Sequence, residues 1–279
     1  MPTQRNTLRR ASDGHSRLGQ NFLTDRNVAR RIVAAAAIEP DDEVLEIGPG
    51  RGALTKLLVE KASRVVAVEL DDVLARELPP RVGNSDALTV VQQDALEFEP
   101  SLHFHGPFKL VANLPYYVAT PLVRRFLALQ QRPSELIVMV QREVADNMTA
   151  RPGRMGLLSV MVQLYVSARI LFSVPPKAFR PRPRVASAVV SLEPRMDLAV
   201  PVDDADDFIS FVAAGFRAPR KQIHNSLKLG LQAQTQTVSC ALSSASIGGS
   251  RRPATLSLPE WGDLYVAWQE QAVTVIPEC

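Results

Sequence analysis

The chain has 279 residues, of which 46% are hydrophobic, so it can form one large or two modest domains with buried cores. Its 32 basic and 29 acidic residues give a net charge of +3, which permits nucleic-acid binding without requiring it. The chain shows no apolar run near ~18 residues, no secretory leader and no metal-ligand spacing of its two cysteines. We therefore expect a cytoplasmic protein with no membrane span, no disulfide framework and no metal.

The N-terminal part of the chain has two predicted segments. Residues 1–15 are polar and basic, and we expect them to form a flexible arm. A helix is predicted from Thr24, because Asp25 can cap it and Val28, Ile32 and Val33 would form one apolar stripe.

Strand-like and helix-like segments alternate through the next hundred residues. The predicted strands are EVLEI, RVVAVEL, LTVVQQDAL (ending in Asp94), FKLVANLPY and ELIVMVQ. The predicted helices between them are Ala53–Ala62, Asp72–Leu78 and Thr120–Leu129. Strands that are apolar throughout are typical of a parallel sheet covered on both faces. The alternation therefore predicts a doubly wound α/β sheet with right-handed crossovers.

The pattern changes after the fifth strand. GLLSVMVQLY, which starts at Gly156, fits either a helix or a strand, VPPKAFRPRPRV is rich in proline, and ASAVVSLEP fits a strand. Amphipathic helices are predicted in DFISFVAAGF, RKQIHNSLKLGL and ATLSLPEWGDLYVAWQEQ, with a loop over 243–250. We predict a basic arm over 1–15, an α/β domain over 16–197 and a mainly helical domain over 198–279. The aromatic residues assigned to the core of the last domain are Phe208, Phe211, Phe216, Trp261 and Trp268.

A glycine turn follows the first predicted strand of the sheet. VLEIGPGRGALT places Gly48, Gly50 and Gly52 there, where glycine allows a positive φ and a close approach of the backbone to a ligand. The spacing G-x-G-x-G differs from the dinucleotide fingerprint G-x-G-x-x-G. Glu46, just before the turn, would repel a pyrophosphate and suits a cationic amino group.

Two further acids follow the same pattern. Glu69 ends the next predicted strand, where it can accept both ribose hydroxyls, and Asp94 ends the third, within reach of an adenine amine. Acids at three successive strand ends are typical of a site for a nucleoside with positive charge and no phosphate, which S-adenosylmethionine satisfies. Each acid also has a simpler interpretation as a helix cap, as do Asp71 and Asp72.

The segment NLPY, at the end of the fourth predicted strand, has the features of a site for an aromatic amine. Ligands bind at the carboxyl ends of strands in such sheets. The Asn113 side chain and the Leu114 carbonyl can accept N–H bonds, Pro115 stiffens the turn, and Tyr116 offers a stacking face. Two acceptors would favour a pyramidal adenine N6 whose lone pair points at a methyl carbon. In-line displacement from a sulfonium would then need no strong base, and positioning and electrostatics would carry catalysis.

The motifs NLPY, LGQNFL, EIGPGRGALT and FRPRPRVASAVV resemble those of the ribosomal RNA adenine N6-dimethyltransferases. The resemblance runs from about Arg17 to Leu229 and implies a Rossmann-like, class I S-adenosylmethionine-dependent methyltransferase. It implies that the methyl donor is lined by Asn21, Leu23, Gly48, Glu69, Asp94 and Asn113. It also implies that Asn113, Leu114 and Tyr116 face the target adenine, and that Phe179 closes on the other face of the base.

The family comprises the KsgA/RsmA type, which modifies small-subunit rRNA, and the Erm type, which modifies large-subunit rRNA. NLPY with leucine, RKQIHNSLK and the tail beyond it are more similar to the KsgA/RsmA type. This similarity implies dimethylation of two adjacent adenosines in the 3′-terminal hairpin loop of 16S rRNA, late in 30S assembly. Departures in FRPRPRVAS, RMGLLSV and FRAPRKQ keep open the Erm-type alternative, which would act on 23S rRNA and confer macrolide resistance.

The RNA is expected to contact basic clusters that position its backbone. The predicted contacts are Arg180, Arg182, Arg184, Arg220, Lys221 and Lys228. The expected partner is 16S rRNA in a 30S precursor, bound by a monomer with no evident protein partner. Two alternatives from other classes are a non-catalytic RNA-binding assembly or transcription factor and an NAD-linked dehydrogenase. The first is opposed by the intact Glu69, Asp94 and NLPY, and the second by Glu46 and the glycine spacing.

Overall fold

The computed structural model describes residues 21–115 and 118–274. The predicted arm over 1–15 and Tyr116 therefore lie outside the described residues. The chain divides into two compact units, the first reaching to Arg142 and including Ile170–Ser191, the second comprising Glu143–Arg169 and the chain from Leu192 onward. The second unit thus includes residues 143–169, whereas the sequence placed the boundary at 197/198. The division into functional domains stays a prediction.

A seven-stranded sheet is formed mainly by residues of the first unit. Its strands are β2 Glu43–Ile47, β3 Arg64–Glu69, β4 Leu88–Gln92, β5 Phe108–Asn113, β6 Glu135–Gln141, β7 Val166–Val174 and β9 Ser187–Pro194. They lie in the order β4-β3-β2-β5-β6-β9-β7, and the pairs among the first five are parallel. A separate antiparallel pair joins β1 Phe22–Leu23 to β8 Phe179–Arg180. The five predicted parallel strands are confirmed, and the strand order reverses at β2, where such sheets bind ligands.

The helices of the first unit follow the predicted alternation with one error. They are α1 Arg26–Ala35, α2 Thr55–Leu58, α3 Asp72–Arg81 and α4 Ala119–Ala128. Asp25 caps α1 by accepting from the backbone N–H groups of Asn27 and Val28, as the sequence predicted. The helix predicted over 53–62 is present but much shorter than predicted, because only Thr55–Leu58 is helical. The chain turns after Leu58, whose carbonyl accepts from residues 61 and 62, so that it can enter β3 at Arg64.

The second unit is mainly helical, as predicted for the C-terminal part of the chain. The helices after β6 are α5 Arg142–Met148, α6 Leu157–Tyr165, α7 Ala205–Gly215, α8 Ile223–Leu231, α9 Thr235–Ser244 and α10 Leu258–Thr274. GLLSVMVQLY, which fitted a helix or a strand, is the helix α6. The sequence did not predict α5 or α9, and α9 includes the first two residues of the predicted loop over 243–250.

Aromatic rings form the core of the second unit. Phe208, Phe211 and Trp261 are buried, which confirms their predicted place. Phe216 and Trp268 are only half-buried, but each contacts a buried ring, with centroids 5.4 and 6.1 Å apart. These rings bury the large apolar area that a small helical unit needs for stability.

Glycine allows α7 and α8 to pack with their backbones in contact. A Cβ at Gly230 would lie 2.1 Å from the carbonyl oxygen of Ala214, and a Cβ at Gly215 would lie 2.4 Å from the ring of Trp261. No side chain fits at these two positions without a shift of the surrounding structure. Across residues 21–115 and 118–274, no helix is both long and apolar enough to cross a membrane. The same residues contain no cluster of three or more groups suited to a metal ion.

Candidate functional site

The carboxyl ends of β2, β3 and β5 bring most of the predicted site residues to one edge of the sheet. Ile47, the last residue of β2, pairs with Val68 on one side and with Ala112 on the other. Glu69 follows Val68 on β3, and Asn113 follows Ala112 on β5. The two residues therefore lie on either side of the glycine turn, which begins at Gly48. The predicted convergence of these segments at one strand edge is therefore present in the structure.

The glycine turn fits between the NLPY segment and β1. Gly48, Gly50 and Gly52 have φ values of +66°, +55° and +81°, a region that favours glycine. A Cβ at Gly48 would lie 3.7 Å from the Pro115 ring, and one at Gly50 would lie 3.1 Å from the Phe22 ring. The bare backbone of the turn therefore forms one wall of the site, and a side chain there would crowd it.

Glu69 holds the glycine turn against the end of β3. Its Oε2 accepts from the Gly50 N–H at 3.0 Å and its Oε1 accepts from the Asp71 N–H at 3.1 Å. The residue is buried, and burial raises the pKa of the Glu69 carboxyl, whereas the N–H bonds from Asp71, Gly50 and Leu70 lower it. Each carboxylate oxygen has capacity for a further donor, which a pair of ribose hydroxyls could use.

Glu46 is a buried acid that lacks full hydrogen bonding. It is 1% exposed, and burial raises its pKa to about 8, with a smaller rise from Glu69. The Thr55 hydroxyl and amide face it and lower the pKa. Even so, neither Glu46 Oε2 nor Thr55 Oγ1 has a hydrogen-bond partner of normal geometry among the described residues. An unsatisfied carboxyl is costly to bury, so this position fits a ligand that brings donors or positive charge, as the α-ammonium of S-adenosylmethionine would.

Asp94 lies in the loop after β4. The strand ends at Gln92, so the prediction that Asp94 itself ends the strand is wrong by two residues. Its Oδ1 accepts from the Leu96 N–H at 2.9 Å, which stabilises a turn after the strand. The side chain is half-buried, so it remains accessible to a ligand.

The NLPY segment is fixed to the neighbouring strand β6. Asn113 pairs with Met139, and the Leu114 N–H donates to the Met139 carbonyl at 3.1 Å. The Pro115 carbonyl accepts from the Val118 N–H at 3.1 Å, which closes a turn before α4. Asn113 is half-buried, so its amide lies at the accessible edge of the sheet. The structure does not describe Tyr116, and its stacking role stays a prediction.

The predicted residues of β1 and β8 are joined by a short antiparallel ladder. Leu23 pairs with Phe179, and both belong to the core cluster under α1. Asn21 is half-buried at the start of the ladder. Phe179 is 0% exposed, so it could contact a target base only if its ring became accessible. Its role at the base, like the donor contacts of Asn21 and Leu23, stays a prediction.

Comparison with known proteins identifies the family. The chain matches the family model described as ribosomal RNA adenine dimethylase over residues 11–261. The chain belongs to the ribosomal RNA adenine dimethylase family. It is 40% identical to ribosomal RNA small subunit methyltransferase A of Dehalococcoides mccartyi, a match that covers 91% of this chain and 88% of that protein. The protein of the same name from Enterococcus faecalis is 41% identical, with 88% of each chain covered.

Solved structures share the fold of this dimethylase. The 23S rRNA methyltransferase ErmE superimposes with a TM-score of 0.71 at 29% identity, covering 89% of this chain and 100% of that one. A dimethyladenosine transferase from Plasmodium falciparum superimposes with a TM-score of 0.75 at 22% identity, covering 90% and 98%. The predicted Rossmann-like, class I methyltransferase fold is confirmed, and the chain is an rRNA adenine dimethyltransferase.

The predicted RNA contacts of the dimethylase fall into two groups. In the first unit, Arg180, Arg182 and Arg184 are exposed on and after β8. In the second unit, three predicted cations line a cleft of about 860 Å³, which Arg252 also lines; the three are Arg220, Lys221 and Lys228. All six are therefore accessible to a polyanion, and contact with RNA stays a prediction for each.

Sequence reasoning did not predict three residues at the dimethylase site. Phe22 packs on the glycine turn, and the guanidinium of Arg51 lies 4.6 Å from the centroid of its ring. Thr55 is fully buried and faces Glu46. The sequence carried a partial signal, because Phe22 lies inside the QNFL motif and Thr55 follows the glycine turn. Their contacts depend on residues distant in sequence, which no local pattern reports.

Proposed function

We propose that this dimethylase transfers methyl groups from S-adenosylmethionine to N6 of two adjacent adenosines in the 3′-terminal hairpin loop of 16S rRNA, late in 30S assembly. The observation that carries the proposal is the meeting of Glu69, Asn113 and the glycine turn at the point where the strand order reverses. The small-subunit target is supported by the names of the bacterial relatives and by the KsgA/RsmA-like motifs.

The donor site would use residues at or just after the ends of β2, β3 and β4. Glu69 would accept from the ribose hydroxyls, Asp94 from the adenine amine, and Glu46 would balance the α-ammonium. The bare turn at Gly48 and Gly50 would let the donor lie against the backbone. S-adenosylmethionine, when bound, supplies an electrophilic methyl carbon on a sulfonium. The carboxyl groups of the site and the glycine backbone without side chains would both be compatible with this cationic nucleoside.

The target adenine would bind at the NLPY segment. The Asn113 amide oxygen and the Leu114 carbonyl accept the hydrogens of the exocyclic amine, which localises its lone pair on nitrogen. The lone pair forms the N–C bond as the S–C bond breaks, and the proton released from nitrogen passes to water. Because the Leu114 N–H is bonded to Met139, the position of its carbonyl is set by β6. Positioning of this kind supplies much of the rate enhancement in such transfers.

Mapping of methylated adenosines tests the proposed function. Mass spectrometry of rRNA from cells lacking this protein should show two unmethylated adenosines in the 16S hairpin loop. The wild-type protein should restore both methylations and Asn113→Ala should restore neither. The same proteins would be assayed on 30S particles and on naked 23S RNA, because the Erm-type alternative is supported by the similarity to ErmE. Methylation of 23S RNA alone would favour that alternative. Binding of 30S particles without any methylation would favour a non-catalytic assembly factor.

We further propose that the enzyme acts in the cytoplasm as a monomer, without a protein partner other than those of the ribosomal particle. The basis is that a base held at one sheet edge needs residues of only one chain, since Glu69 and Asn113 end strands of the same sheet and Asp94 lies in the loop after β4. Light scattering of the purified protein coupled to size-exclusion chromatography would measure the mass, and a stable dimer would contradict this part of the proposal.

A further inference from the structure

A second pocket lies in the first unit, beside the end of the glycine turn. Its volume is about 380 Å³, and it is lined by the start of α1 and by residues from Gly52 to Leu57. Its apolar lining residues are Ala29, Ala53 and Leu57. The polar part is dominated by long basic side chains. The charged residues of its lining are three cations and one acid, so the pocket can attract an anion.

The charges around the pocket are mostly uncompensated. Arg26, Arg30 and Lys56 line it against a single acid, Asp25. The Asp25 carboxylate is already used, because it caps α1 by accepting from the backbone N–H groups of residues 27 and 28. Arg30 donates from Nε to the Arg26 carbonyl at 3.4 Å and from a terminal nitrogen to the Asn27 side chain at 2.9 Å. Within the described part of the chain, the Arg26 and Lys56 side chains form no hydrogen bond or ion pair. The pocket therefore presents two free cations and one partly free cation.

Two arginines of α3, in the same unit, are paired with acids. On α3, Arg76 pairs with Asp72 at 3.1 Å and Arg81 pairs with Glu77 at 2.5 Å, each one helical turn apart. Such exposed pairs are typical of a solvated helix face. The pocket differs from this face, because its one carboxylate is held by the backbone and its cations remain available to an external anion.

Positive charge continues from the pocket to the candidate active site. Thr24 at the pocket is bonded to the Ala178 carbonyl, just before β8. Next along β1, Phe22 pairs with Arg180 and carries the Arg51 guanidinium over its ring. Phe22 also packs on Gly50, whose N–H is bonded to Glu69. Two further cations, Arg51 and Arg180, thus lie against Phe22 of the same short strand whose next residues lead to Thr24 at the pocket.

We infer that this pocket binds a backbone phosphate of the RNA substrate, in the strand that carries the target adenosine. The inference rests on the proposed function, since it takes RNA as the substrate. Guanidinium and ammonium groups bind phosphate oxygens through charge-assisted hydrogen bonds. A phosphate contact of this kind fixes the register of the strand and reads no sequence. Arg26 and Lys56 are therefore positioning residues for the RNA, separate from the residues that bind the methyl donor.

Paired lysine variants test the inference. Lys56→Gln removes a cation of the pocket, and Lys61→Gln removes an exposed lysine five residues later, outside the pocket. Affinity for a fluorescent 16S 3′-terminal hairpin RNA would be measured by anisotropy over a series of salt concentrations. Counterion release predicts that loss of one phosphate contact weakens binding about 5- to 8-fold near ~0.1 M salt and reduces the salt slope by about 0.7 to 0.9. Lys61→Gln should change the affinity less than about twofold.

Further variants extend the measurement. Arg26→Gln should match Lys56→Gln, and because both cations bind the same phosphate the double variant should lose no more than that one contact, about 5- to 8-fold in affinity. Calorimetric titration with S-adenosylhomocysteine should give the wild-type affinity for all of these proteins, which would show that they are folded and retain the donor site.

The outcomes separate this inference from the proposed function. Wild-type RNA affinity and salt slope in the Lys56→Gln and Arg26→Gln proteins would overturn the phosphate site, whatever the enzyme methylates. An equal loss in Lys61→Gln would also overturn it, because the effect would then be one of general surface charge. A wild-type protein that bound RNA through the pocket but did not methylate 30S particles would contradict only the proposed substrate.

Discussion

The buried carboxyl of Glu46 leads to a specific prediction about the dependence of stability on pH. Burial raises the pKa of Glu46 to about 8 from an ordinary value of 4.5. Between these two values the folded protein holds a proton that the unfolded chain releases. The contribution of Glu46 to the free energy of unfolding is therefore fully present below about pH 4.5 and is lost as the pH rises through 8.

The size of the change in the free energy of unfolding follows from the shift in the pKa of Glu46. A difference of about 3.5 pH units (8 minus 4.5) at about 1.4 kcal/mol per unit amounts to about 5 kcal/mol over the whole interval. Glu46→Gln keeps the shape of the protonated carboxyl and cannot titrate. The difference in free energy of unfolding, Glu46→Gln minus wild type, should therefore increase by several kcal/mol as the pH rises from 4.5 to 8.

Urea unfolding of the two proteins, followed by circular dichroism at half-unit steps from pH 5 to pH 8.5, would measure this difference. Comparing the variant with the wild type at each pH cancels the titration of the other groups. A constant difference across the interval would refute the reasoning, because it would mean that Glu46 is already ionised in the folded protein. A difference that grew toward low pH would refute it equally, since the sign would be wrong.

Three further predictions concern other parts of the molecule. The Arg251 guanidinium lowers the pKa of Glu260 to about 2. Because the Glu260 side chain is 33% exposed, Glu260→Gln should lower the free energy of unfolding by only about 1 kcal/mol at pH 7 and by little near pH 2. Urea unfolding at the two pH values would measure this. This contribution is present above about pH 4.5 and lost as the pH falls toward 2. Gly230→Ala should lower the free energy of unfolding by about 2 kcal/mol or more, because its Cβ would meet Ala214. Tyr116→Ala should strongly reduce methyl transfer and leave S-adenosylhomocysteine affinity near normal, by calorimetry.

Each of these predictions has a contrary result. A loss in Glu260→Gln that is equal at pH 2 and pH 7 would mean that the ion pair is not its cause. Gly248→Ala is the control for Gly230→Ala, because its Cβ would lie no closer than 3.9 Å to another residue; equal losses in both would exclude backbone contact as the reason. Equal losses of methyl transfer and donor affinity in Tyr116→Ala would mean that the tyrosine binds the donor and not the base.

Local patterns were sufficient to predict the central sheet and its functional edge. Strands buried on both faces are mostly apolar, and β2, β3 and β5 show this in the sequence apart from polar residues such as Glu46 and Lys109. Because parallel strands end at a common edge, Glu69 and Asn113 could be assigned to one site before their contacts were known. Helix α1 was equally predictable, since Asp25 is a strong cap.

Elements without local signals were missed. Helix α6 ends at Tyr165 and β7 begins at Val166, so no turn residues mark the change, and β7 was not predicted. The four-residue helix α2 was overestimated, because apolar spacing continues past Leu58 while the backbone turns toward β3. Helix α9 is polar enough that its sequence resembles a loop, and it is stabilised by packing against α8 and α10.

The sequence by itself determined the periodicity, the caps, the glycine turn and the motifs of the family, since each depends on residues that are neighbours in the chain. Only the tertiary structure decided that Glu46 is buried without a full set of partners, that Phe179 lies in the core, and that Arg26 and Lys56 face one pocket. Burial and electrostatic environment are set by atoms from distant segments that meet when the chain folds. The pKa of a carboxyl and the availability of a cation therefore cannot be predicted from local sequence.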